Sequence, residues 1–233
     1  MPNTNSVTRA NLLAFACRMP KVELHVHLEG SIRPATLLQL ARRNDVKLPA
    51  DDVEGLRAFY RFRDFPHFVE VYVTITRCLQ TVDDYRLIAY EFGSDCARQN
   101  VRYAEVTFSI GTNVKYTGLP WEAILAGLNE GQAQARDEWG VDWRWVFDIV
   151  RDHPQTQDQV TEIAIAARDR GVVALGLGGI EEGYPPEMFA DNFDRARQAG
   201  LRSAPHAGEI AGPGSVWGAL EHLHADRIGH GVR

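Results

Sequence analysis

Residues 143–178 read WRWVFDIVRDHPQTQDQVTEIAIAARDRGVVALGLG, and this stretch predicts the architecture of the chain. Two apolar runs rich in β-branched residues, 143–150 and 172–178, flank the segment 157–170, in which apolar residues recur at helical spacing. A strand, a helix and a second strand in this order form a β/α unit, whose two strands pair in parallel within one sheet.

The same alternation recurs in both directions from this unit. The predicted strands are 22–28, 101–108, 143–150, 172–178, 202–207 and 227–231. The predicted helices are 34–44, 83–99, 121–139, 157–170, 186–199 and 215–224. Several strands are followed by Gly, Pro, Asp or Ser, which favour a turn into the next helix. We therefore expect an α/β fold with a parallel sheet.

Composition excludes several classes of protein. The 233 residues are 45% hydrophobic and 24% charged, as in ordinary globular domains. The formal charge is −6 and no Lys/Arg cluster interrupts the acidic balance, which argues against a nucleic-acid partner. Three widely spaced cysteines indicate neither a disulfide framework nor a zinc ribbon, so a reducing compartment is expected.

The chain has no recognisable targeting or membrane segment. Its first twenty residues lack a basic start followed by an apolar run, and no later apolar stretch reaches the roughly 18 to 20 residues that span a bilayer. We expect a cytoplasmic protein without a membrane partner. No linker, repeat or shift in composition divides residues 1–233, which favours one domain. The sequence does not specify an oligomeric state.

An additional block separates the first two predicted strands. Residues 48–80 are rich in aromatic side chains and too long for a plain turn. Two interpretations remain open: a helical flap over the strand ends, or a small satellite core.

Two histidines on the first predicted strand can converge on one metal ion. His25 and His27 are two residues apart, so their side chains project from the same face of a strand. Taken alone, this pair is more often explained by two hydrogen-bonded structural histidines.

Further polar residues occur where later strands end. His206 ends the fifth strand with Glu209 three residues later, and His230 lies between two glycines at the end of the sixth. Catalytic groups of parallel β/α folds collect at these carboxyl ends, so together the clusters predict a catalytic metal site. Zinc held by three neutral imidazoles keeps a position for water and lowers its pKa to about 7. A three-histidine site also accepts iron or cobalt.

Other candidates lack this convergence. The glycine-rich run 176–183 fails the G-x-G-x-x-G fingerprint because its third glycine would fall on Glu181. Two histidines are predicted to lie on the surface and two to be structural: His222 and His224, and His67 and His153, respectively.

Three motifs together carry a family resemblance. PKVELHVHLEGS at 20–31, HAGE at 206–209 and RIGHG at 227–231 resemble the adenosine deaminase family of the amidohydrolase superfamily, over about residue 20 to residue 233. The resemblance implies a zinc-containing (β/α)8 barrel of the TIM type, with a helical flap after the first strand.

The resemblance also implies a chemistry. His25, His27 and His206 would hold one Zn²⁺ per chain, and His230 would orient the water that attacks C6 of a 6-aminopurine. Glu209 would donate a proton to N1, which makes C6 electrophilic before ammonia leaves. For the substrate, the resemblance places the backbone amide of Gly179 against the purine, Glu29 near the sugar, and an apolar gate at Phe65, Phe68 and Tyr72.

The sequence departs from the family at three points. Family members continue to a Ser-Leu-Asn-Thr-Asp-Asp type motif, so a chain ending at Arg233 is expected to be a fragment with a barrel truncated after the sixth strand. Ile180 stands where an Asp is common, and Glu29 replaces the Asp of animal enzymes.

Several functions therefore stay open. The first is zinc-dependent hydrolytic deamination of a 6-aminopurine nucleoside or base, with a small-molecule substrate as the partner. Alternatives are an aminodeoxyfutalosine deaminase of menaquinone synthesis, a non-catalytic truncated barrel module, and another amidohydrolase acting on a small amide or ester. The zinc deaminases that act on nucleic acids are excluded, because the chain has no Cys-x-x-Cys.

Overall fold

Six parallel strands form the centre of the molecule, in a computed structural model that describes residues 9–233. Each strand pairs with the next in the chain, in the order β1 to β6. Their bounds are β1 Lys21–His27, β2 Val101–Phe108, β3 Asp142–Val150, β4 Val172–Gly178, β5 Arg202–Ala207 and β6 Gly229–His230. The predicted parallel α/β fold is confirmed.

Helices connect successive strands, as parallel pairing requires. The α-helices are α1 Arg9–Arg18, α2 Pro34–Arg43, α3 Val53–Phe59, α4 Phe65–Arg77, α5 Val82–Arg98, α6 Ile110–Thr117, α7 Trp121–Trp139, α8 Gln157–Ala166, α9 Ala190–Gln198 and α10 Pro213–Glu221. Side chains define several starts: Asp52, Asp64 and Thr81 accept hydrogen bonds from backbone N–H groups of the first turns of α3, α4 and α5.

Some boundaries differ from those predicted. Where one helix is predicted over 157–170, α8 ends at Ala166 and a separate 3₁₀ turn follows at Arg168–Arg170. The helix predicted at 186–199 begins with the 3₁₀ turn Pro186–Phe189, where Pro185 and Pro186 lack N–H groups. The last strand covers Gly229–His230 rather than the predicted 227–231, and it ends where His230 and Gly231 both have positive φ.

The sheet curls until its first and last strands approach each other. The imidazole of His25 on β1 lies 3.0 Å from that of His206 on β5. Arg227, just before β6, contacts Glu105 of β2 with 2.5 Å between Nη2 and Oε2. These contacts across the interior define a barrel-like enclosure, with the carboxyl ends of the strands at one rim.

The packed core lies on both faces of the strands. Trp143 and Trp145 of β3 are fully buried with their rings perpendicular, 5.7 Å between centroids. The indole N–H of Trp145 donates to the Asn129 side chain at 2.8 Å, so this buried polar group is satisfied.

Apolar side chains remain uncovered on the outer side of β1. Val22 and Leu24 of β1 are exposed, as are Leu12, Leu13 and Phe15 of α1. In residues 9–233, no helix combines the length and the hydropathy that a membrane crossing needs. Residues 1–8, part of the segment used to predict the absence of a signal peptide, lie outside the described residues.

Candidate active site

Three histidines meet at the carboxyl rim of the sheet. His25 and His27 project from the same face of β1, and His206 projects from β5. The Nε2 atom of His206 lies 3.0 Å from Nε2 of His25 and 3.0 Å from Nε2 of His27. The potential ligand atoms of all three lie within 4.8 Å of one another, a spacing that one metal ion can bridge.

The three imidazoles are suited to bind a cation because they are neutral. Burial lowers the pKa of each, with that of His27 falling to about 4. His206 Nδ1 is 3.0 Å from the carbonyl oxygen of Leu177, which can only accept a hydrogen bond. Nδ1 therefore carries the hydrogen, and the Nε2 lone pair faces the cluster.

Glu209 and His230 lie beside this cluster. His230 Nε2 is 3.4 Å from Glu209 Oε2, and the His230 ring is 4.6 Å from that of His25 between centroids. Burial, together with the charge of Glu181, raises the pKa of Glu209, while burial lowers the pKa of His230. Glu209 thus keeps its proton to a higher pH than an ordinary glutamate.

A single carboxylate fixes the turn that carries Glu209. Glu181 accepts hydrogen bonds from four successive backbone N–H groups, those of residues 208–211, at 2.6 to 3.1 Å. It also accepts from the Ser215 hydroxyl at 2.7 Å. Burial opposes ionisation of Glu181, but these donors outweigh it and lower its pKa. Glu181 is therefore a charged anchor for the loop between β5 and α10.

Arg151 supports the same loop from behind. It is fully buried, and its Nη2 donates to the carbonyl oxygen of His206 at 2.5 Å. Burial lowers its pKa to about 10, against the opposing charges of Glu181 and Glu209, so the guanidinium stays charged at neutral pH. The charge of Arg151 therefore compensates those of Glu181 and Glu209.

A cavity of about 510 Å³ opens above the histidines. The three candidate ligands, Glu209 and His230 line it on one side, and aromatic side chains from the segment after β1 form another wall. Phe62, Phe65 and Tyr72 each stack near Phe68, with centroid distances of 5.2, 5.8 and 6.2 Å. The gate residues Phe65, Phe68 and Tyr72 predicted by resemblance thus all lie in this wall.

The position of Gly179 requires glycine. Its φ is +89°, and a Cβ there would lie 2.3 Å from Asp152 Oδ1. That oxygen accepts a hydrogen bond from the Ile180 N–H at 3.1 Å, which holds the loop after β4 against the cavity. Backbone rather than side chain is therefore presented to a ligand here.

Glu29 lies behind the cavity wall. It is fully buried, and its Oε1 accepts from the Ser109 N–H and from the Asn113 amide, each at 3.0 Å. Burial raises its pKa to about 7. Glu29 is not among the residues that line the cavity, so its proximity to a sugar stays a prediction.

The remaining histidines divide into two groups. His222 and His224 are exposed, as predicted, and lie 3.7 and 3.8 Å from carboxylates. His67 accepts from the Arg63 N–H at 3.1 Å in its own turn, in keeping with a structural role. His153 lines the cavity, and its carbonyl oxygen accepts hydrogen bonds from the N–H and the hydroxyl of Thr156, so its structural role stays a prediction.

Sequence reasoning missed four residues that the fold brings to the site: Ser109, Asp148, Arg151 and Glu181. Asp148 had a recognisable signal, because it is a carboxylate near the end of an otherwise apolar strand. Glu181 had none, since its role depends on a loop conformation that periodicity does not specify.

Comparison with known proteins adds a family. A family model described as adenosine deaminase matches residues 20–233. An aminodeoxyfutalosine deaminase of Streptomyces avermitilis is 40% identical over 229 residues, which are 97% of this chain and 63% of that protein. An adenine deaminase of Pseudomonas putida is 37% identical, over 92% of this chain and 68% of its own length.

Solved structures give the same fold. An adenine deaminase from Arthrobacter aurescens superposes with a TM-score of 0.84 at 31% identity, covering 92% of this chain and 65% of its own. An amidohydrolase from Burkholderia ambifaria with bound Zn gives a TM-score of 0.87 at 32% identity, covering 96% and 61%. The chain spans 63% of the length of the Streptomyces avermitilis relative and 68% of that of the Pseudomonas putida relative.

Proposed function

Because the chain belongs to the adenosine deaminase family, we propose that the protein carrying it hydrolyses the 6-amino group of a purine base or nucleoside, releasing ammonia and a 6-oxopurine. One observation carries this proposal: three neutral imidazoles, Glu209 and His230 converge at one end of a cavity large enough for a purine.

The metal is proposed to be one zinc ion per chain, held by His25, His27 and His206. Three imidazole donors suit zinc, and a solved relative contains it. Bound zinc would supply a Lewis acid that makes water nucleophilic near neutral pH. The Leu177 carbonyl keeps the His206 lone pair directed at the ion.

The residues of the chain then divide the remaining work. Glu209 holds a proton at Oε1 or Oε2 that it can give to a purine ring nitrogen, which withdraws electrons from C6. His230, 3.4 Å from Glu209, is placed to orient the attacking water and to accept its proton. The loop anchored by Glu181 keeps Glu209 in position during this transfer.

The substrate contacts are proposed from the cavity walls. The Gly179 backbone would face the purine edge, and Phe65, Phe68 and Tyr72 would cover its apolar face and exclude water. We propose that residues 48–80, which contain α3 and α4, act as a flap over the cavity. Glu29 would act near a sugar through Ser109, which it holds by the backbone.

A substrate panel tests the function. We expect the metal-loaded protein to release ammonia from at least one of adenine, adenosine and aminodeoxyfutalosine. Release from simple amides, with none from the purines, would indicate the alternative amidohydrolase activity. Metal-loaded protein that releases no ammonia from any of the three would refute the proposal.

Metal content tests the ligand set. We expect His25→Ala, which alters a partly exposed ligand, to bind zinc at least roughly tenfold more weakly, because one of three donors is lost. His222→Ala is the matched control, since His222 is exposed, follows the last residue of α10 and is not one of the three clustered histidines. Zinc per chain is measured by elemental mass spectrometry after dialysis. Equal zinc in both variants would contradict the assignment.

The pH profile tests Glu209 as a proton donor. Its raised pKa means that the protonated, active form persists above the ordinary value of 4.5 and is lost as the pH rises further. We therefore expect kcat to fall on the alkaline side of the profile. Zinc content is followed in parallel to exclude metal loss. A kcat that keeps rising between about pH 5 and pH 8 would contradict this role.

A further inference from the structure

Asp148 is a buried acid with an unused hydrogen-bonding atom. It lies near the end of β3 with only 2% of its surface exposed, yet it lines the cavity. Among the residues that the structure describes, none hydrogen-bonds to its Oδ1. A buried polar atom without a partner is costly, so a ligand group that reaches this carboxylate from the cavity would gain a hydrogen bond.

A hydroxyl side chain lies on the strand next to this carboxylate. Ser109 follows β2 and also lines the cavity, and Phe108 before it pairs with Phe147, the residue before Asp148 on β3. Its Oγ lies 3.2 Å from the hydroxyl of Tyr72. The backbone N–H of Ser109 donates to Glu29 Oε1 at 3.0 Å, which holds the main chain at this position. Asp148 and Ser109 together therefore form a polar patch in a cavity that is otherwise largely aromatic on this side.

The neighbouring strand leaves this patch open. A Cβ at Gly178 of β4 would be 3.0 Å from Asp148 Oδ2. Gly176 is similarly close to the Asp148 Cβ, at 3.1 Å. With two glycines on β4, no side chain of that strand covers the carboxylate.

The location and the charge select the ligand group. β3 is separated from β1 by β2 and from β5 by β4, so Asp148 lines the same cavity from a strand that carries none of the three histidines. Within residues 9–233, no Lys or Arg forms an ion pair with Asp148 or Glu29, and burial raises the pKa of Asp148 to about 6. Such a site attracts hydrogen-bond donors and repels anions.

We propose that Asp148 and Ser109 form a subsite that accepts a neutral N–H or O–H donor from the purine edge opposite the reacting amino group, and that this subsite disfavours a phosphate there. The inference rests on the proposed function and adds which part of the substrate this subsite recognises. The donor has two sources: a ring N–H of a free base, or a sugar hydroxyl of a nucleoside.

The variant Asp148→Asn tests the subsite, because it keeps the shape and replaces one acceptor by a donor. We expect kcat/KM to fall about 10- to 100-fold for the substrate that supplies the donor. A loss with adenine identifies the ring N–H, whereas a loss with adenosine alone identifies the sugar hydroxyl. Asp137→Asn, on an exposed position of α7, is the matched control. An unchanged kcat/KM for both substrates would overturn the proposal.

Binding measurements separate this inference from the proposed function. Hypoxanthine and inosine are 6-oxo compounds that need no reaction, so calorimetric titration reads the subsite even if wild-type protein releases no ammonia. We expect the same 10- to 100-fold weakening in Asp148→Asn, with an unchanged Tm showing that the fold is retained. We also expect AMP to bind wild-type protein more weakly than adenosine does. Tighter binding of AMP than of adenosine would overturn the anion-excluding part.

Discussion

Replacing Glu209 by glutamine is expected to lower kcat by about 10²- to 10⁴-fold while zinc stays bound. Glutamine has nearly the same size, but its amide does not exchange a proton with a ring nitrogen as a carboxylic acid does. The contact with His230 at 3.4 Å persists in outline, so the cavity keeps its shape. The loss should appear in kcat more than in KM, because the proton is transferred in the transition state.

The control is Glu221→Gln, the same exchange at an exposed position at the end of α10. Both variants are compared with wild-type protein in ammonia release, zinc per chain and Tm. Near-normal kcat in Glu209→Gln would exclude Glu209 as the donor. A loss of zinc together with activity would instead assign Glu209 to the metal site.

Removing the Glu181 carboxylate is expected to destabilise the protein by about 3 kcal/mol or more and to impair catalysis. Four backbone N–H groups and the Ser215 hydroxyl would lose their shared acceptor in Glu181→Ala. Water can replace part of these bonds where the loop is half-exposed, but Gly208 is buried. Arg151 would also lose a compensating charge.

Glu182→Ala is the matched control, since the adjacent glutamate is exposed. Urea denaturation measures the stability difference, and an unchanged midpoint in Glu181→Ala would refute the anchoring role. Positioning is distinguished from plain stability by Glu181→Gln. The charge of Glu181 raises the pKa of Glu209, so its removal should move the alkaline fall of kcat to lower pH. A purely structural role would leave the profile in place.

The fold was predictable because parallel β/α units leave strong local patterns. Strands β2, β4 and β5 begin and end where the apolar runs indicate. α6, in contrast, was missed because it starts immediately after β2 without an N-terminal side-chain cap, and its apolar residues are few. The short β6 was overestimated, since positive φ angles are not visible in a hydrophobic pattern.

The candidate site was predictable only in part. Histidines that end predicted strands can be recognised as site candidates from the sequence, because parallel topology brings all carboxyl ends to one rim. Glu181 appeared only as the residue that breaks a glycine fingerprint, and its five hydrogen bonds depend on how the loop after β5 folds back. Glu29 shows the reverse: its motif was clear, but its side chain turns into the wall rather than the cavity.

The distribution of aromatic residues has a spectroscopic consequence. All five tryptophans lie outside residues 48–80, and two of them, Trp143 and Trp145, are enclosed in the core of β3. Intrinsic tryptophan fluorescence therefore does not report directly on α4, which contains no tryptophan. Phe62 is 57% exposed and its ring centroid is 5.2 Å from that of Phe68, so an indole introduced at this position would give residues 48–80 their own emission.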